Sequence, residues 1–155
     1  MNIGLIIYSH TGNTRSFAGM LQEKITTAGH AVSIEEITIT GHAPAQPGKF
    51  ELDHVPDPAG YDAVILGAPV QAFTLNPVMK AYLEKLPSLS GKKTALFVTK
   101  RLPMLWIGGT GAIRIMKTAC EEKGANVVGT EIVVWSEKKR EQSIEQGAKN
   151  LTALF

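Results

Sequence analysis

The join near the start of the chain constrains its fold most. An apolar run, Ile3-Gly4-Leu5-Ile6-Ile7, breaks into Tyr8-Ser9-His10-Thr11-Gly12-Asn13-Thr14 and then into a helical pattern from Arg15. Near-continuous apolarity predicts a strand covered on both faces. A buried strand that turns straight into a helix leaves several backbone N–H groups without partners, and the macrodipole adds positive partial charge there. Such a turn favours an anion, typically a phosphate. Gly12 permits φ > 0 and close backbone approach, while Ser9, Thr11 and Thr14 add hydroxyls and Asn13 an amide. No Gly-Lys-Ser/Thr follows, which excludes a P-loop, and no G-x-G-x-x-G is present here, which excludes the dinucleotide fingerprint. The expected feature is a hydroxyl-rich cradle for a phosphate monoester, built without a lysine.

The rest of the chain alternates strand and helix. Phe17, Leu21, Ile25 and Ala28 recur at helical spacing up to Gly29. Val32, Ile34 and Ile37 sit among Ser33, Glu35 and Glu36, the pattern of an exposed edge strand. From Gly41 to Gly60, Pro44, Pro47, Pro56 and Pro58 exclude a helix, so a long irregular crossover is expected. Ala63 to Gly67 reads as a second buried strand opening into a loop, Ala68 to Leu75. Asn76-Pro77 then starts a helix, with asparagine as N-cap and proline at the first position. Thr94 to Val98 is the third buried strand, followed by a loop from Thr99 to Thr110. Ile113, Met116, Ala119 and Cys120 mark a helix ended by Gly124, Val127 to Trp135 the last strand, and Ile144, Ala148, Leu151 and Leu154 the final helix.

This order predicts an α/β domain over residues 1–155: a three-layer, doubly wound, five-stranded parallel sheet of strand order 2-1-3-4-5. At this length one core buries about 70% of the unfolded surface. The chain direction reverses between the first and third strands, which opens a crevice at their carboxyl ends. The loops Ser9–Thr14 and Ala68–Leu75 arrive there, with Thr99–Thr110 alongside.

Charge and composition narrow the partners. A net charge of +2 and the lack of a basic stripe with interleaved aromatics argue against nucleic acid. The densest basic run, Lys138-Lys139-Arg140, is bracketed by Glu137 and Glu141 and reads as a solvated helix face. The lone Cys120 fits a reducing cytoplasm and a buried structural thiol. No leader pattern precedes the first strand and no apolar run nears ~20 residues, so a cytoplasmic protein without a membrane partner is expected. His10, His30, His42 and His54 are scattered, with no metal-binding spacing.

Ser9-His10-Thr11-Gly12-Asn13-Thr14 and Gly67-Ala68-Pro69-Val70 resemble the S/T-x-T-G-x-T phosphate loop and the second flavin loop of the flavodoxin-like family of FMN-binding proteins. The likeness spans nearly the whole chain. It implies FMN as cofactor at the switch point, the placement for which flavodoxin is itself the standing example. Residue by residue, it implies that Ser9, Thr11, Gly12, Asn13 and Thr14 hold the phosphate. His10 lies in the same cradle and reads as a solvent-facing loop histidine, with orientation toward the phosphate as the alternative. Pro69, Val70, Gln71, Ala72 and Phe73 would lie along the isoalloxazine, and Thr99, Lys100, Arg101 and Leu102, with Trp106, would flank its other side.

The chain departs from the family pattern in two ways. The third loop has neither the aspartate nor the stacking tyrosine common in flavodoxin electron carriers, and the sequence pI is near 8.7. The first expectation is an electron carrier that exchanges electrons with redox partner proteins, as a monomer or dimer. The second is an FMN-dependent NAD(P)H:quinone or acceptor oxidoreductase, supported by Lys100-Arg101, which would favour two-electron chemistry. The competing reading of the same two residues is a solvated loop or a docking patch for an acidic electron donor. A non-redox module such as a phosphorelay receiver is weaker, since Ser9 and Ala68 stand where receivers carry acids.

Overall fold

The computed structural model describes residues 1–41, 48–101, 108–136 and 138–155. Parallel strands β1 (Asn2–Ile7), β2 (Ala31–Glu36), β5 (Ala63–Gln71), β7 (Lys93–Lys100) and β8 (Asn126–Val134) form a sheet of order β2-β1-β5-β7-β8. This is the 2-1-3-4-5 order expected from the sequence. Helices α1 (Asn13–Thr27), α2 (Pro77–Glu84), α3 (Gly109–Glu122) and α4 (Arg140–Thr152) cover the two faces.

Residue alternation along the central strands produces two cores. Leu5, Ile65, Ala95 and Phe97 face α1 and α4, where they meet Phe17, Leu21, Ile144 and Leu151. Ile6, Val64, Leu66, Leu96 and Val98 face α2 and α3, against Met79, Tyr82, Met116 and Cys120. Each fully buried side chain of this size contributes about 1.5–3 kcal/mol relative to exposure. Phe17 and Phe97 pack edge to face at 4.8 Å. Gly67 makes room for that pair, because a Cβ there would lie 2.0 Å from Phe97 Cζ. Both outer strands, β2 and β8, are only partly covered, in keeping with their polar residues. Cys120 is buried and desolvation pushes its thiol up to about 12, so it is inert packing.

Three expectations need correction. The segment from Gly41 to Gly60 is not wholly irregular: β4 (Glu51–Leu52) pairs antiparallel with β3 (Ile39–Thr40), and Pro58–Gly60 forms a 3-10 turn capped by Asp57. The loop expected at Ala68–Leu75 is instead a continuation of β5 to Gln71 that folds back on β6 (Thr74–Leu75). Thr99 and Lys100 belong to β7 rather than to the following loop. For the strand segments pairing with a neighbouring strand decides the conformation, a tertiary effect that overrides local pattern. Among the described residues no helix is long and apolar enough to cross a membrane.

Candidate functional site

The first wall of the site is the β1–α1 turn. Tyr8 continues the sheet by donating its N–H to the Gly67 carbonyl at 3.1 Å. The chain then reverses at Gly12, which sits at φ 96° as N-cap of α1 with no side-chain cap. That left-handed conformation favours glycine, and a Cβ there would meet nothing within 4 Å. Of the first N–H groups, Arg15 donates to Ser9 Oγ at 3.2 Å and Ser16 to the Gly12 carbonyl at 2.9 Å. The N–H groups of Gly12, Asn13 and Thr14 have no acceptor among the described residues. With no acid in its first turn, the helix presents an open positive pole. Arg15 does not charge the cradle, because Nε and Nη2 both reach Glu36 Oε1, at 2.8 and 2.6 Å. Thr14 is buried, and its hydroxyl shares a hydrogen bond with Thr99 across the sheet at 2.9 Å.

The β5–β6 hairpin forms the second wall. Ala72 and Phe73 turn it with φ of 50° and 63°. Positive φ at both central residues is the signature of a primed hairpin turn, which glycine or asparagine usually supplies. Two ordinary residues held there store strain of order 1–3 kcal/mol each. Buried Asn76 is what holds them: Nδ2 donates to Gln71 Oε1 at 2.6 Å, its N–H donates to the Pro69 carbonyl at 3.2 Å, and Oδ1 caps α2 through the Val78 N–H. Sequence reasoning found the cap but not the tie to the hairpin. From the other side Gly108, at φ 82°, presses against the turn, and a Cβ there would lie 2.8 Å from the Phe73 carbonyl oxygen. Phe73 itself stands 70% exposed at the lip.

The end of β7 closes the third side. Thr99 turns toward α1 and Lys100 toward α3; both are buried, whereas Arg101 is exposed. Burial lowers the Lys100 pKa from its ordinary value of 10.5. Leu102 and Trp106 lie outside the described residues.

These walls enclose a cleft of about 410 Å³ lined by His10, Thr11 and Asn13, by Pro69 to Phe73, and by Thr99, Lys100 and Arg101. Ser9, Gly12 and Thr14 belong to the same turn but are not among the lining residues. The volume falls within the roughly 300–1,000 Å³ of small-molecule sites. An anion fits the open N–H groups at one end, and a flat apolar group fits the hairpin at the other. Among the described residues no cluster of three or more His, Cys, Asp or Glu could hold a metal.

The family model for the Flavodoxin domain matches residues 5–103, from β1 through the end of the cleft-forming strands. The chain belongs to this family. The fold is similar to oxidised Flavodoxin 2 from Bacillus cereus, with a TM-score of 0.72 and 21% identity over 99% of this chain and 97% of that one. Two-electron reduced Megasphaera elsdenii flavodoxin is similar at TM-score 0.65 and 24% identity, over 96% and 98% of the two chains. The Trp repressor binding protein from Bacillus subtilis reaches TM-score 0.69 at 11% identity, over 100% of both chains. No curated protein sequence matches the chain.

Proposed function

We propose that this flavodoxin-domain protein binds FMN in the cleft and serves as an electron carrier. The observation that carries the reading is the open N-terminus of α1. Three N–H groups without acceptors among the described residues, with Thr11 and Asn13 in the lining beside them, form an end of the cleft without an acidic side chain and suited to a phosphate monoester. Ser9, Thr11, Gly12, Asn13 and Thr14 hold the phosphate, with Thr14 oriented by its bond to Thr99. Pro69 to Phe73 lie along one side of the ring, and Thr99 to Arg101 flank the other. Bound FMN supplies the redox chemistry, one or two electrons at a time. The chain's part is to grip, to orient and to exclude water, and no nucleophile is required. A buried, unreactive Cys120 suits work in a reducing cytoplasm.

Purified protein should be yellow, and the colour released on denaturation should be FMN rather than riboflavin or FAD. A colourless protein that takes up no added FMN would refute the reading.

The second reading, an NAD(P)H:quinone or acceptor oxidoreductase, draws on Lys100. A buried cation at the cleft favours negative charge on the reduced ring and hence two-electron transfer. Rapid bleaching of the bound flavin by NAD(P)H without a partner protein would favour it.

A further inference from the structure

We infer that a cationic shelf beside the cleft docks an acidic electron-donor protein, an inference that rests on the electron-carrier reading above. Two segments far apart in the sequence, the end of β7 with exposed Arg101 and the run Lys138-Lys139-Arg140, are joined at this shelf. The Trp135 N–H donates to the Lys100 carbonyl at 2.6 Å, and the Arg140 guanidinium sits 5.8 Å over the Trp135 ring. Lys100 and Arg101 also wall the cleft, so the shelf is continuous with its mouth. Arg101, Lys138, Lys139 and Arg140 are exposed, and among the described residues no carboxylate forms an ion pair with any of them. Arg15, on the opposite side of the cleft, is neutralised by Glu36.

The placement of these cations works against local stability. A helix start favours acids, yet Lys138, Lys139 and Arg140 crowd the positive pole of α4 with only Glu141 in its first turn. Lys139 occupies the N-cap and provides no side-chain cap, where Ser, Thr, Asp or Asn is preferred. Such breaks of a local rule are expected where function demands them.

Charge complementarity selects the occupant. A surface rich in Asp and Glu matches this compact cluster and is steered toward it before contact. Nucleic acid fits less well, because the chain's net charge is only +2 and Trp135 is engaged by Arg140 rather than offered to a base. Phe73, exposed at the lip of the same cleft, adds the aromatic contact on which such interfaces centre. In the docked complex the donor loses one electron and the cleft-bound flavin gains it, with no bond made or broken.

Reduced plant-type ferredoxin, an acidic iron–sulfur protein of low potential, is the probe. Stopped-flow reduction of the FMN-loaded wild type should slow steeply as salt rises. The triple variant Lys138→Glu, Lys139→Glu, Arg140→Glu should react about tenfold more slowly at low salt, with little salt dependence left. Its FMN affinity should be unchanged, and it should melt no lower than wild type, because acids suit that helix pole. Titrating isotope-labelled apoprotein with oxidised ferredoxin reads docking without flavin, through NMR shifts at Arg101 and at residues 138–140. Shifts there support the docking surface even if FMN fails to bind, so the two failures are separable. Absent shifts, charge reversal without effect on the rate, or tighter binding of duplex DNA would each overturn the inference.

Discussion

At the β1–α1 wall, the cleft is built from open N–H groups and hydroxyls, and Arg15 is tied to Glu36. Across the cleft, the β5–β6 and β7 wall holds two residues at positive φ and a buried lysine. The first wall is relaxed, local and neutral. The second is strained, assembled from distant segments and cationic. Under the proposed reading the contrast would assign different tasks: one wall would grip a ligand through backbone geometry, while the other would tune what sits against it.

The largest effect should come from the gripping wall. Thr11→Val with Gly12→Val removes a hydroxyl and distorts the φ 96° turn, so FMN affinity should fall about a hundredfold or more, equivalent to roughly two hydrogen bonds to a charged group. Circular dichroism should show the fold intact, since a side chain at Gly12 meets open space. Flavin fluorescence quenching measures the affinity, and an unchanged value would place the phosphate elsewhere.

On the opposite wall, Gly108→Ala should act on stability first. Its Cβ meets the Phe73 backbone at 2.8 Å, and its φ is 82°. Urea denaturation should show a loss of about 2–3 kcal/mol. A loss as small as that expected at an ordinary exposed helix start would mean that the hairpin is not braced by α3.

A smaller change of opposite sign tests the strain directly. Ala72→Gly should raise stability by about 0.5–1 kcal/mol, because glycine adopts φ 50° without steric cost. A lower urea midpoint would contradict a strained turn.

The smallest effect concerns Lys100. Its pKa is lowered by burial, so between the folded value and 10.5 the unfolded chain binds more protons than the native one. Its contribution to stability therefore rises with pH through that window. Lys100→Met should gain on wild type at neutral pH and lose this advantage as pH approaches 10.5. A pH-independent difference would show that the ammonium carries no desolvation cost.

The same contrast explains what the sequence disclosed. The gripping wall was legible because its determinants lie within a few residues: an apolar strand, a glycine, clustered hydroxyls and a helical period. The strand order was legible too, because three runs are apolar throughout and the run around Glu35-Glu36 is half polar. The hairpin was not. Gln71-Ala72-Phe73-Thr74 contains no glycine or asparagine, so nothing local announces a primed turn. It forms because Asn76 and Gly108 hold it from both sides. Nor could the sequence bring Lys100 beside Trp135, since parallel pairing of β7 with β8 sets that contact. The two-residue strands β3 and β4 are likewise fixed by each other, not by periodicity.

The central claim is that neutral hydroxyls and main-chain N–H groups at the β1–α1 turn recognise a phosphate. Apoprotein titrated with FMN and with riboflavin, which share a ring and differ in the phosphate, tests this most directly. The account predicts that FMN binds about a hundredfold more tightly or better, the worth of two charge-assisted hydrogen bonds. Equal affinity for the two flavins would contradict it.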